Sequence, residues 1–231
     1  MDGNGRWASQ RGLERAEGHK NGAKSVRIIV EEARKLGVRY LTLYSFSTEN
    51  WGRPKTEVSG LMELFKEQLL SQLENQELLQ NQIRFRVIGD IKRLSDDLQN
   101  LIKELETITK GNKGLELVLA LNYGSREEIV FAMKQIASRV KSGLLDIDEI
   151  TEDVITTSLR TAGVPDPDLL IRTAGEMRIS NFLLWQLAYS EIIVLDDLWP
   201  DFNEQVFAKC INIYQTRVRK FGKTSEQLLE R

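Results

Sequence analysis

The sequence holds one cysteine, one histidine and four prolines in 231 residues, and each scarcity removes a class of function. Cys210 cannot close an internal disulfide, and with His19 as the sole imidazole there is no Cys/His set for a structural zinc. Cysteine usage therefore fits a reducing compartment. The expected location is the cytoplasm, or a plastid for a chain whose transit peptide has been removed. An excess of one charge is missing too: 32 Lys plus Arg stand against 34 Asp plus Glu, a net charge of −2. No overall field draws such a chain to nucleic acid or to an acidic membrane, so any anion site must be local. The most apolar run, Phe182 to Leu195, is interrupted by Gln186 and Glu191 and falls short of the roughly 18 apolar residues that a membrane span requires. Internal repeats and low-complexity linkers are also absent. With 41% hydrophobic residues a full core is available, and residues 1–231 read as one domain.

What is present is an alternation of short apolar runs and amphipathic segments. Tyr40–Phe46, Ile83–Gly89, Leu115–Leu121, Leu169–Thr173 and Glu191–Asp196 read as strands. Val58, Leu61, Met62, Phe65, Leu69 and Leu73 recur at helical steps and predict one long helix from Lys55 to Asn81, its stripe serving core packing in the simplest reading. This order predicts an α/β fold with a mostly parallel sheet flanked by helices, in which ligands sit beyond the carboxyl ends of the strands. The polar clusters "FSTENWGRP", "NYGSR" and "IRTAGEMRIS" follow predicted strands. By the same logic "MDGNGRW" follows a strand expected before Met1, a first strand missing from the chain as given.

That edge gathers Arg6, Arg15, Arg53, Arg126, Arg172 and Arg178 with Asn4, Ser47, Asn50, Ser180 and turn glycines. Arginine presents a planar fork of donors to an oxyanion, and several such clusters suit two diphosphates better than one phosphate. Familiar nucleotide loops do not fit: there is no G-x-x-x-x-G-K-[ST], and "GNGRWA" lacks the second strand and acid that a dinucleotide fingerprint requires. "DDLWPD" resembles the aspartate-rich motif of all-helical prenyl synthases, but Pro200 would break the helix which that motif needs, so the segment reads as a turn into a helix starting near Asn203. His19, one helical turn after Arg15, suits phosphate contact better than a catalytic triad.

"MDGNGRWA", "GHKNGA", "LTLYSFSTENWGRP", "VIGD", "NYGSREEI", "IRTAGEMRISNFLLWQLAYSE" and "LWPDF", in this order from Met1 to about Gly222, resemble the cis-prenyltransferases, the undecaprenyl diphosphate synthase family. The resemblance implies the fold of that family with a hydrophobic tunnel, a single catalytic domain, and elongation of an allylic diphosphate primer such as farnesyl diphosphate by isopentenyl diphosphate, with a cis double bond formed at each step. It implies Mg²⁺ held by Asp2 and Glu191. Asp2 and Asn50 would be catalytic, Asn50 as the usual candidate for proton removal, although an amide is a poor base and positioning would serve equally well. Gly3, Asn4, Gly5, Arg6, Trp7, Arg15 and His19 would receive the allylic diphosphate. Arg172, Arg178 and Ser180 would hold isopentenyl diphosphate, and Ser47, Thr48, Glu49, Trp51 and Arg53 would complete the loop, with Trp51 packing on the prenyl chain or supporting that loop. The growing tail would run between sheet and long helix past Ser45, which is small and leaves room for a medium or long product. A homodimer, and peripheral membrane association through the lipid product, also follow from the resemblance.

Two departures stand out. "RTAGE" carries Ala174 where the family usually has a second glycine, and the C-terminal Arg-x-Gly element appears as Lys220, Phe221 and Gly222. Three other readings stay open from the sequence: a non-catalytic subunit of a heteromeric enzyme, a short-chain Z-prenyl diphosphate synthase, and a nucleotide-binding oxidoreductase.

Overall fold

Runs of apolar residues too short for helices become parallel strands, and the amphipathic segments between them become the helices that cover the sheet. The computed structural model describes residues 1–217, so Lys220, Phe221, Gly222 and the last stretch of the 1–231 domain lie outside the described residues. In chain order the elements are α1 (Asn4–Gln10), α2 (Arg15–Lys35), β1 (Tyr40–Ser47), α3 (Lys55–Asn75), α4 (Glu77–Gln80), β2 (Arg84–Ile88), α5 (Asp96–Thr109), β3 (Glu116–Tyr123), α6 (Ser125–Lys141), α7 (Glu152–Ser158), β4 (Leu169–Arg172), β5 (Glu191–Val194) and α8 (Glu204–Gln215). Short 3₁₀ turns at Thr48–Gly52 and Trp199–Asp201 complete the frame around the site. None of the helices among the described residues is long and apolar enough to cross a membrane.

The strands form two parallel ladders, β1-β3-β2 and β4-β5. Central β3 is buried along nearly its whole length, as expected for a strand covered on both faces. The main core joins Ile29 and Ala33 of α2, Leu61 and Leu69 of α3, and Leu98, Ile102 and Leu105 of α5 to the sheet. A smaller cluster surrounds Tyr123, where Tyr44 and Phe182 stack with ring centroids 4.5 Å apart. No ladder among the described residues joins β1 to β4; a hollow of about 1070 Å³ separates them, so the parallel sheet is divided in two.

The long helix expected to reach Asn81 stops at Asn75. Gln76 takes a left-handed conformation at φ 55°, and the side-chain oxygen of Asn75 accepts the Glu77 amide at 3.1 Å, so a new turn starts as α4. The reason is legible afterwards: the apolar stripe lapses over Glu74, Asn75 and Gln76, leaving nothing to hold that turn against the core.

Helices α1 and α2 cross so closely that a β-carbon on Gly18 would lie 2.1 Å from the carbonyl oxygen of Asn4. Helix propensity alone would have Gly18→Ala stabilise by about 1 kcal/mol. The steric contact reverses the sign, and we expect a loss of at least about 2 kcal/mol, read as a lower urea midpoint at unchanged slope. Gly12→Ala, at φ +65° with open space around it, should cost only about 1 kcal/mol.

Candidate active site

Asp2 is held by chain segments remote in sequence. Its amide donates to Thr173 Oγ1 at 2.9 Å, its carbonyl accepts from the Trp199 amide at 2.9 Å, and Arg172 Nη2 donates to its Oδ2 at 3.1 Å. The Gly3 amide donates to Asp2 Oδ1 at 2.7 Å. Gly3 itself has φ +102°, and a side chain there would press on Leu198 and Ala174, so the turn into α1 requires glycine. Burial pushes the Asp2 carboxyl up, but the Arg172 and Gly3 hydrogen bonds outweigh it and hold the group below the ordinary carboxylate range.

Glu57, at the start of α3, is the hub of the next cluster. Its Oε1 receives Arg15 at 3.3 Å, His19 at 3.3 Å and Arg53 at 3.1 Å. Burial raises this carboxyl, but the charges of Arg15 and Arg53 with the His19 hydrogen bond leave it below its ordinary value. His19 is lowered, first by burial and then by the neighbouring Arg53 and Arg15 charges, against the opposing pull of Glu57. The expected helical face of Arg15 and His19 therefore exists, and what it faces is an acid of this chain that the sequence reading did not single out.

The segment after β4 makes the third cluster. Arg172 Nη1 donates to Ser180 Oγ at 2.9 Å and also meets the Arg178 carbonyl oxygen. Glu176, likewise not anticipated, accepts Arg178 at 2.6 Å and Arg6 at 3.0 Å, bridging two segments. Ala174 adopts φ 72°, a left-handed conformation that normally favours glycine. Its amide still bonds the Asp197 carbonyl at 2.8 Å, so the turn closes with alanine in place.

Two hollows meet here. One, of about 720 Å³, starts among Gly3, Asn4, Gly5, Arg6, Arg15 and His19 and continues past Ser45 between α2 and α3 to Phe65, Leu69 and Leu117. The other borders Arg172, Arg178, Ser180, Ser47 and Glu49. Asp2, Asn50 and Arg53 line both. Ser45 sits at an irregularity in the β1–β3 register, the kind of bulge that re-aims a side chain, here into the cavity wall. The α3 stripe thus serves both core and cavity.

Several expected residues lie elsewhere. Trp7 donates to Asp201 at 2.7 Å and is covered by Arg11, so it braces α1 rather than facing the cavity. Trp51 donates to Asn122 Oδ1 at 2.8 Å and packs edge-on to Phe46, which makes it a support of the loop. Thr48 bonds Glu49, and the Arg126 amide donates to Asn181; neither side chain lines a hollow. Asn50 Oδ1 accepts the Ser47 amide at 3.1 Å, which fixes the loop and occupies the atom expected to take a proton. Glu191 begins β5, whereas Asp2 contacts the residue at the far end of neighbouring β4, on the order of 10 Å along the strands. It pairs with Arg217 at 2.6 Å, so the structure does not bring Glu191 to Asp2 within one chain as the shared metal site requires.

A family model described as putative undecaprenyl diphosphate synthase matches residues 1–222. An isoprenyl transferase of Agrobacterium fabrum is 51% identical over 99% of this chain and 92% of that protein. A ditrans,polycis-undecaprenyl-diphosphate synthase of Micrococcus luteus, (2E,6E)-farnesyl-diphosphate specific, is 51% identical over 96% of this chain and 88% of that protein. Among solved structures, lavandulyl diphosphate synthase from Lavandula x intermedia in complex with dimethylallyl diphosphate superposes with a TM-score of 0.93 at 40% identity, covering 96% of this chain and 95% of that one.

Because His19 is the chain's one histidine, its imidazole signals report this cluster without interference. In a ¹H–¹⁵N titration its midpoint should lie below the ordinary histidine value. Glu57→Gln removes the partner that favours the charged ring, so the midpoint should fall further; saturating inorganic diphosphate, which adds negative charge beside Arg15 and Arg53, should raise it.

Proposed function

The chain belongs to the undecaprenyl diphosphate synthase family, and from that premise we propose how its own residues divide the work of cis-prenyl chain elongation. The reaction condenses isopentenyl diphosphate with an allylic diphosphate primer, releases diphosphate and gives a Z-polyprenyl diphosphate. The observation that carries the assignment is the 3.1 Å contact of Arg172 with Asp2, which joins the two hollows at one point. In the first hollow the amides opening α1, with Arg6, Arg15, His19 and Arg53, receive the allylic diphosphate. In the second, Arg172, Arg178 and Ser180 hold isopentenyl diphosphate with its double bond toward the primer.

Breaking the allylic C–O bond sends its electron pair to the departing diphosphate. Donors already fixed at that place stabilise the growing charge better than water, which must reorganise. Each arginine–oxyanion bond contributes roughly 1.5–3 kcal/mol. The terminal alkene carbon of isopentenyl diphosphate then bonds to the allylic carbon, and the carbon next to the newly cationic centre gives its proton to an oxygen of the released diphosphate, the C–H electron pair forming the new double bond. Asn50, with its oxygen held by the Ser47 amide, is assigned to positioning at the junction rather than to proton removal.

Mg²⁺ fits Asp2. The carboxylate is ionised and its side chain 42% exposed, and among the described residues there is no three-ligand acid or imidazole cluster. This donor set suits an ion held by one carboxylate together with diphosphate oxygens and water, which is how Mg²⁺ commonly binds beside phosphates. When bound, Mg²⁺ supplies positive charge to the leaving diphosphate. We also assign a homodimer, supported by the exposed Val130 and Met133 on one face of α6, with peripheral membrane contact through the lipid product and a reducing cytoplasm for buried, unpaired Cys210.

Incubating the purified chain with labelled isopentenyl diphosphate, Mg²⁺ and geranyl, farnesyl or geranylgeranyl diphosphate, then sizing the products, tests the assignment. Extension is the expected result; no extension by the chain alone would favour a non-catalytic subunit. The likeness to lavandulyl diphosphate synthase supports a short-chain reading, and the same sizing separates the two. Asp2→Asn should lower turnover by about 10²–10³, and Ser45→Leu, narrowing the cavity wall, should shorten the product.

A further inference from the structure

The turn that bears the isopentenyl-side donors is held from outside itself. Ser180, whose Oγ accepts Arg172 Nη1 at 2.9 Å, and the next residue, Asn181, take φ 47° and 60°. Two consecutive left-handed residues with side chains are costly and persist only where the surrounding structure over-determines them. Asn181 supplies the ties. Its carbonyl accepts the Ser125 amide at 2.8 Å and its Oδ1 accepts the Arg126 amide at 2.9 Å, both at the start of α6. Its Nδ2 donates to Glu49 Oε1 at 2.9 Å and to Glu127 Oε2 at 3.2 Å.

Glu49 belongs to the 3₁₀ turn Thr48–Gly52, whose Asn50 borders both hollows. Asn181 therefore joins that turn to the one bearing Ser180. The joint is tight as well as bonded. A β-carbon on Gly124 would lie 2.2 Å from Glu127 Oε2, 2.6 Å from Thr48 Oγ1 and 2.8 Å from Asn181 Nδ2, so three segments remote in sequence close on one glycine. Burial pushes the Glu49 carboxyl up, yet the Asn181 hydrogen bond leads the contacts that hold it below the ordinary range. Both carboxylates are exposed residues that water would satisfy, so stability alone gives little reason for the joint. Glycine would supply the backbone angle, and aspartate the angle and the acceptor; asparagine adds the donor that faces two acids.

We propose that Asn181 is a positioning residue that sets the isopentenyl side of the site against the primer side, by tying the Ser180 turn to the turn of Asn50. Bond formation requires the alkene and allylic carbons to meet at about 3–3.5 Å, and a displacement of about 1 Å costs on the order of 10² in rate. Most groups assigned to the primer's diphosphate sit on α1 and α2, outside this joint, so its loss falls on the condensation rate rather than on primer affinity. The proposal rests on the elongation reading of the site.

The test uses the purified full chain with Mg²⁺ and measures two quantities: the single-turnover rate of the first condensation at saturating labelled isopentenyl diphosphate, and the Kd for farnesyl diphosphate. Asn181→Asp keeps the backbone preference and the acceptor for Arg126 but sets a third carboxylate against Glu49 and Glu127. It should lower the rate about 10–10²-fold with the Kd within about twofold of wild type. Adding Glu49→Gln returns a donor to the pair in the opposite direction and should recover most of the loss, which a general loosening of the turn would not allow. Asn181→Gly, made in case the aspartate variants fail to fold, should show the same split between rate and Kd. A folded Asn181→Asp or Asn181→Gly with the wild-type rate, a loss carried by the Kd, or a loss that Glu49→Gln leaves in place would overturn the tie and leave the elongation reading intact. A wild type that extends no primer would overturn that reading, and the tie with it.

Discussion

The anchoring of Asp2 is the constraint on which the site depends. The second residue of the chain is tied by its amide, carbonyl and carboxylate to Thr173, Trp199 and Arg172, so the end of β4 and the turn before α8 fix the entry to α1. Those three ties make the two hollows neighbours. α1 alone is a seven-residue helix with no side-chain cap, and little in its own sequence would hold it in that attitude.

Close packing then transmits that anchoring. Gly18 and Gly22 let α1 lie against α2, where a β-carbon on Gly22 would collide with the Asn4 side-chain amide and press on Trp199. α2 in turn delivers Arg15 and His19 to Glu57 on α3. The cavity between α2 and α3 is therefore lined at its head by the residues that set the spacing of its walls. The charged mouth and the apolar stretch of that cavity are one construction, and a change in the α1–α2 crossing is felt in both.

Much of this was legible in the sequence. The five strands, the turn before α8 and the gathering of Arg172, Arg178 and Ser180 follow from periodicity and from the rule that parallel strands present ligands at their carboxyl ends, while the place of Asp2 among them comes with the family resemblance. The end of α3 at Asn75 was not, because one continuous apolar stripe masked a lapse of three polar residues. Glu57 and Glu176 escaped because an acid among helical charges looks like solvated surface until its partners arrive from 42 or 170 residues away. The resemblance puts Trp7 at the substrate and leaves Trp51 either packing on the prenyl chain or supporting its loop; each indole N–H finds an internal acceptor, which makes Trp51 the loop support and turns Trp7 to bracing α1. Glu191 sits in the right motif but at the wrong end of a strand, a distinction that needs the register of β4 against β5.

The internal partners of the arginines have a kinetic consequence. Arg6 and Arg178 share Glu176, Arg15 and Arg53 share Glu57, and Arg172 leans on Asp2. Three carboxylates among five guanidinium groups leave the mouth with a charge of about +2 rather than +5 as seen from a Debye length away. An approaching anion feels the pull of about two charges rather than five, and to reach a guanidinium it must compete with that group's carboxylate partner. Anion capture should therefore show the ionic-strength dependence of about two charges rather than of five converging guanidinium groups.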